Sequence, residues 1–206
     1  FYRAADDMDA ATAATLHCTY GTAWHALHRF GTPQGRLLVT GANGGVGAAA
    51  IELGVRLGME VVAIIRDEKH RQFVTERGAT EVIVSADGAF HKELSSTVEI
   101  ALECVGEPTF NSSLRSLGFG GAVVVIGNVT STRATLNLGF IVTRGLRIAG
   151  NNGATRTDMA QLLALHAESP IRADVDAILP LAQAEAAQQR VRAGGLQGRI
   201  VLTPES

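Results

Sequence analysis

The sequence predicts an α/β fold, a doubly wound parallel sheet of about six strands with helices on both faces. Three observations carry this prediction. Short apolar runs alternate with helical patterns at regular spacing. Several runs, such as residues 61–65, are apolar at consecutive positions, as strands buried on both faces are. A glycine-rich turn follows the first run and opens a helix, the local order of a βαβ unit.

The elements follow in order. Residues 9–29 form an alanine-rich, mostly helical opening segment, broken near Cys18–Gly21. Gly31-Thr32-Pro33-Gln34-Gly35 is the turn into the first strand, 37–39. The helix over 48–57 carries Ile51, Val55 and Leu57 at helical spacing and closes at Gly58. A second strand spans 61–65. The helix over 67–77 turns Phe73 and Val74 inward and stops at Gly78. Strands over 81–84 and 98–103 follow, then a helix over 107–117 with Phe110, Leu114 and Leu117 on one face. A fifth strand spans 122–126 and a sixth 146–149. Helices over 158–167 and 182–193 precede a last strand over 199–202.

Composition narrows the function. The 206 residues are 46% hydrophobic and 18% charged, with a formal net charge of −2, which excludes a disordered chain. No basic excess or Lys/Arg run suggests a nucleic-acid partner. No apolar stretch approaches the ~20 residues that cross a bilayer. Two cysteines, Cys18 and Cys104, make no disulfide framework. The expectation is a soluble, cytoplasmic protein. The chain begins at Phe1 with no signal peptide before it, as if a preceding segment were missing.

The run Ala42-x-Gly44-x-x-Gly47 lies between strand and helix, where a glycine fingerprint binds phosphate. Gly44 lets the backbone approach a pyrophosphate, and Gly47 lets the helix pack close to the sheet. The helix N-terminus, at Gly45, Val46 and Gly47, offers N–H groups and a partial positive charge. The end of the second strand selects the dinucleotide. An acidic residue there binds a ribose 2′-hydroxyl, but this chain has Ile65 followed by Arg66. Arg66 suits a 2′-phosphate. Lys69, His70 and Arg71 stand one turn on, diluted by Asp67 and Glu68. The expected cofactor is NADP(H) rather than NAD(H).

Five stretches in order resemble the cofactor domain of the medium-chain dehydrogenase/reductases. They are residues 16–27, the loop Gly41-Ala42-Asn43-Gly44-Gly45-Val46-Gly47, Glu103-Cys104-Val105-Gly106, residues 120–129, and Gly198-Arg199-Ile200-Val201-Leu202. Within that family the chain is most similar to the acryloyl-CoA-reductase and alcohol-dehydrogenase branches. The resemblance implies a Rossmann domain over 31–206 preceded by an interdomain helical segment over 1–30. It implies that Thr22 packs against the nicotinamide, that Val105 and Gly106 lie beside the adenosine ribose, and that the backbone of Gly127, Asn128 and Val129 meets the carboxamide. It places Cys18 where zinc-type members carry a catalytic zinc ligand, so a zinc is expected only in a longer parent. Family members begin with a catalytic domain that supplies the other ligands, and nothing in this sequence corresponds to it.

His17, His25 and His28 lie near Cys18, but helical geometry makes closure of a four-ligand site awkward. Otherwise they read as surface or interdomain polar residues. Cys18 itself also reads as a small buried thiol. Cys104 reads as core, and His70, His91 and His166 as solvated. Neither Tyr2 nor Tyr20 has a Lys four residues on, which excludes a Tyr-x-x-x-Lys mechanism.

The expected function is hydride transfer between a nicotinamide and a small carbonyl, alcohol or activated alkene, with little turnover by this chain alone. The alternatives are a non-catalytic redox-sensing module and a structural role. The sixth strand, over 146–149, is expected at a sheet edge, pairing across a two-fold axis to give a homodimer with help from the apolar patch 138–142.

Overall fold

The computed structural model describes residues 3–32 and 34–204. Phe1 and the Pro33 of the feed-in turn lie outside the described residues. Six parallel strands form one sheet: β1 (Arg36–Thr40), β2 (Glu60–Ile65), β3 (Glu81–Val84), β4 (Val98–Glu103), β5 (Leu117–Val125) and β6 (Arg147–Gly150). Their order is β3-β2-β1-β4-β5-β6. The winding reverses between β1 and β4, and ligands of such sheets bind outside the carboxyl ends of the strands at that point.

The alternation of side chains along β1 explains both faces. Leu37 and Val39 enter one core with Leu53 of α3 (Gly45–Arg56) and Trp24 of α2 (Thr22–Phe30). Leu38, one residue out of phase, enters the opposite core with Phe110 and Leu114 of α5 (Glu107–Ser116). At the amino ends, buried Arg36 pairs with Glu60 at 2.8 Å and with Glu81, and its Nη1 donates to Ser96 Oγ at 2.9 Å. That cluster binds three strand starts together, away from the carboxyl ends.

The opening helix differs from the expectation. The break near Cys18 is one π turn, His17–Gly21, between α1 (Ala10–Leu16) and α2, so the helix runs on. Gly21 is buried there, and a Cβ would come within 2.8 Å of the Ala154 side chain.

The helix read over 67–77 is a 3-10 turn, Glu68–His70, followed by α4 (Arg71–Glu76). The patch read over 138–142 is a helix, α6 (Leu138–Arg144), capped by the Asn137 side chain. The last strand does not join the main sheet. After α7 (Arg156–Glu168) comes a strand that periodicity missed, β7 (Val175–Pro180). A 3-10 turn and α8 (Ala184–Ala193) lead to β8 (Arg199–Thr203), which pairs with β7 in a separate two-stranded parallel sheet.

Two histidines expected in solvent are buried. His166 is 2% exposed because its Nδ1 accepts the Ile171 N–H at 3.0 Å, closing the turn after α7. His70 is 3% exposed and packs into the wall described below. His91 is partly buried.

Candidate cofactor site

The glycine loop has the form its residues dictate. Gly41 takes the left-handed φ of +57°, and its carbonyl accepts the Gly44 N–H at 2.9 Å. Gly44 caps α3 in an extended conformation, so the first turn of the helix points its N–H groups out of the loop without intrahelical acceptors. A Cβ on Gly47 would lie 2.7 Å from Ala42 Cα and nearer still to the Gly41 carbonyl oxygen. Only glycine lets α3 start this close to the end of β1, as the spacing of the motif implies.

Two groups at the loop lie outside the glycine motif. Arg199, at the start of β8, lays its side chain over Gly45, where a Cβ would meet its Cγ at 2.7 Å and its Cδ at 2.8 Å. A guanidinium thus stands at the N-terminus of α3, adding a formal charge to the partial charge of the helix. Its Nη2 also lies 3.6 Å from Cys18 Sγ. The placement depends on a backbone tie: Gly198 N–H donates to Asn43 O at 2.9 Å, and Asn43 Nδ2 donates to Leu196 O at 2.8 Å. The sequence signal is the Gly198-Arg199 pair at the head of the last strand, where the apolar run by itself indicates only a strand.

The second group is Glu103, fully buried at the end of β4. Its Oε1 accepts from Thr40 Oγ1 at 2.7 Å, Val105 N at 3.0 Å, Gly106 N at 2.9 Å and Thr109 Oγ1 at 2.7 Å. Its Oε2 accepts from Ser113 Oγ at 2.6 Å. One carboxylate therefore joins the ends of β1 and β4 to α5, satisfied as a buried charge must be. Thr109 and Ser113, four apart on a helix just after a strand-ending Glu, were the available signal.

The turn that Glu103 holds brings the other predicted residues together. Gly106 has φ of +107°. A Cβ there would approach Asn128 Cα at 3.0 Å, and one on Gly127 would meet the Cys104 carbonyl carbon at 2.8 Å. Val129 N–H donates to Val105 O at 2.7 Å. Val105, Gly106, Gly127, Asn128 and Val129 thus form one patch at the ends of β4 and β5. Cys104 is partly buried beside them; burial, with the adjacent Glu103, pushes its thiol up to about 12.

A cleft of about 370 Å³ runs across the carboxyl ends, lined among others by Gly41, Ile65, Arg66, Lys69, Ser85 and Val105. Arg66 and Lys69 stand together on its wall, with Lys69 Nζ 3.1 Å from Asp67 Oδ2. Arg71 is turned away, bonded to Glu68 and to Val82 O. His70 lines the cleft with its Nδ1 buried and, among the described residues, without a hydrogen-bond partner. Desolvation, then Lys69, holds its imidazole below the ordinary value of 6.5 against the pull of Asp67.

Thr22 is buried at the start of α2, and its carbonyl accepts from Asn151 Nδ2 at 3.0 Å just past β6. His25 is held by Asp158 at 2.8 Å. Among the described residues no group of three His, Cys, Asp or Glu side chains is placed to hold a metal. Cys18 is exposed, not the buried thiol of the bland alternative, and is one donor where a tetrahedral zinc needs several. These residues alone do not fit a zinc. They do fit a dinucleotide: a glycine cradle a Cβ would fill, a guanidinium over the helix N-terminus, and a cleft beside it.

Residues 45–168 match the family model described as zinc-binding dehydrogenase. The chain is 33% identical over 194 residues to acryloyl-coenzyme A reductase of Metallosphaera sedula, covering 93% of this chain and 58% of that protein. Its fold superposes on the crystal structure of AibC with a TM-score of 0.90 at 35% identity, over 99% of this chain and 59% of that one. A putative alcohol dehydrogenase from Sinorhizobium meliloti gives a TM-score of 0.91 at 27% identity, over 99% of this chain and 58% of the other. The chain therefore spans somewhat over half the length of the relatives it matches. Family model, sheet order and glycine loop agree: this chain belongs to the zinc-binding dehydrogenase family and is a cofactor-binding domain of the medium-chain dehydrogenase/reductase type.

Proposed function

We propose that the chain binds NADP(H) across the carboxyl ends of β1 to β5, as part of an oxidoreductase acting on a small carbonyl, alcohol or activated alkene. One observation carries this reading. The phosphate loop, capped by Arg199, opens onto a cleft whose wall presents Arg66 and Lys69, while Ile65 stands where a ribose-binding carboxylate would be. A bound nicotinamide supplies the hydride chemistry, and this chain's residues bind and orient it. The first turn of α3 and Arg199 hold the pyrophosphate, Arg66 and Lys69 the 2′-phosphate, Val105 and Gly106 the adenosine ribose. Gly127, Asn128 and Val129 meet the carboxamide, and Thr22 backs the nicotinamide ring. The similarity to an acryloyl-coenzyme A reductase favours enoyl thioesters among the substrates. Cys18 is a candidate donor to a metal completed by groups outside these 206 residues.

Two further parts of the reading concern assembly and place. β6 is an edge strand, and Phe119 (82% exposed), Leu138 (68%) and Val142 (79%) lie exposed on the elements next to it. Pairing of two such edges across a two-fold axis would cover them. No helix among the described residues is long and apolar enough to cross a membrane. Two free cysteines suit a reducing compartment such as the cytoplasm.

Calorimetric titration with NADP+ and NAD+ tests the cofactor. The expected result is tighter NADP+ binding that Arg66→Ala weakens selectively, by about tenfold for the lost charge-assisted pair. Tighter NAD+ binding overturns the assignment.

A further inference from the structure

His70 is a titratable side chain of the cleft to which the reading above gives no role. It ends the 3-10 turn Glu68–His70, and its N–H donates to Asp67 O at 3.1 Å. The turn therefore fixes its backbone between Lys69 and α4. The residue is 3% exposed, yet its Nδ1 has no hydrogen-bond partner among the described residues. Buried polar atoms are almost always paired, and an exception at a cleft wall calls for an explanation.

We propose that His70 is a proton-coupled specificity determinant: a phosphate on the adenosine ribose 2′-oxygen, seated beside Arg66 and Lys69, binds together with a proton taken up from solvent by the His70 imidazole. The inference rests on the NADP(H) reading and adds to it a dependence on pH that Arg66 and Lys69 do not themselves confer.

The charges around His70 define the coupling. Lys69 and Arg66 oppose a positive imidazole, and Asp67 favours one. Lys69 is already paired with Asp67, so that carboxylate is shared. Burial adds to the two cations, and the imidazole of the free protein is neutral near pH 7. A phosphate dianion entering the same wall reverses the balance. It offsets Lys69 and Arg66 and attracts a positive charge on the ring. Linkage is reciprocal, so a ligand that raises the proton affinity of His70 binds more tightly where His70 is protonated. NAD+, without the 2′-phosphate, gains nothing from this. The ratio of NADP+ to NAD+ affinity then falls as pH rises, by up to about tenfold per pH unit for a fully coupled single proton. The phosphate's own second ionisation, near about pH 6, works the opposite way. A variant that retains the phosphate but lacks the imidazole separates the two effects.

The test measures Kd for NADP+ and NAD+ on the whole chain from pH 6.5 to 8.5, in wild type and His70→Gln. In wild type the affinity ratio is expected to fall about three- to tenfold across the range. In His70→Gln it is expected to stay level or rise as the phosphate ionises. Identical pH dependence in both proteins overturns the inference. Should the variant fail to fold, the wild-type imidazole signals followed by NMR decide it. One must titrate at higher pH with NADP+ than with NAD+, and no difference refutes the coupling. If NADP+ binds no better than NAD+ at any pH, the NADP(H) reading falls and this inference with it. If NADP+ binds better with a flat ratio, only the inference falls.

Discussion

The three glycines of the loop should respond differently to the same added methyl group. At Gly47 the new Cβ lies 2.7 Å from Ala42 Cα and 3.0 Å from its carbonyl carbon. Carbon atoms sit comfortably at about 3.5–4.0 Å, so helix and strand must part by about 1 Å. Both neighbours are backbone and no rotamer relieves the overlap. Overpacking of this kind costs about 1–3 kcal/mol, against a gain of up to about 1 kcal/mol from replacing glycine in a helix. The net loss of stability is about 0–3 kcal/mol, but parting the helix from the loop moves the N–H groups that face the phosphates, and losing one such charge-assisted bond weakens binding by about tenfold or more. At Gly45 the three atoms nearest the Cβ all belong to the Arg199 side chain, which can swing away. Stability should hold while the guanidinium leaves the loop, weakening binding about tenfold. At Gly44 the nearest atom is Gly41 O at 3.3 Å, and the extended conformation suits alanine. Gly44→Ala should change stability by under about 1 kcal/mol, so a large affinity loss there comes from contact with the pyrophosphate. Urea unfolding and NADP+ titration of the three variants separate the effects. Normal NADP+ binding by Gly47→Ala would refute the packing argument.

Three other outcomes follow from buried groups. Arg36→Ala removes the partner of Glu60 and Glu81 under the sheet and should cost about 3–5 kcal/mol in urea unfolding, at the low end because Glu60 is half exposed. Glu103→Gln turns two of the carboxylate's acceptor positions into donors, so it should weaken NADP+ binding and lower stability by about 1–3 kcal/mol; unchanged binding would mean that the Val105–Gly106 turn holds without it. Burial works to raise the Asp158 carboxyl, but bonds from Thr155 and His25 outweigh it and leave it below 3.8. Its folded-state value is depressed, so its contribution is complete above pH 3.8 and lost as pH falls through the lower folded value. Relative to wild type, Asp158→Asn should lose about 1–2 kcal/mol at pH 7, and the gap should close below pH 3.8.

The main sheet was legible because its strands are buried. Runs 81–84 and 98–103 match β3 and β4 to the residue. β5 starts at Leu117, well before the run read at 122, because Gly118, Gly120 and Gly121 hide a strand that bulges against β4. β7 was invisible for another reason. Val-Asp-Ala-Ile-Leu-Pro is half exposed in a two-stranded sheet, ends in proline, and is neither alternating nor continuously apolar. The glycine loop was readable because its requirements are local. Arg199, Glu103 and His70 were not, because each acts on residues that only the tertiary fold brings to it. His70 and His166 show the same limit: a histidine in a polar stretch reads as solvated until a neighbouring element covers it.

The tie between Asn43 and Leu196, 153 residues apart, has a consequence for synthesis. At about 5–20 residues per second, a ribosome needs roughly ten to thirty seconds to travel from the loop to β8. During that time the nascent sheet can assemble from β1 to β6, yet Arg199 has not reached the helix it caps. Ligand bound during that interval lacks the Arg199 guanidinium, and a protein stalled or clipped before β8 would carry a formed sheet with an incomplete phosphate site.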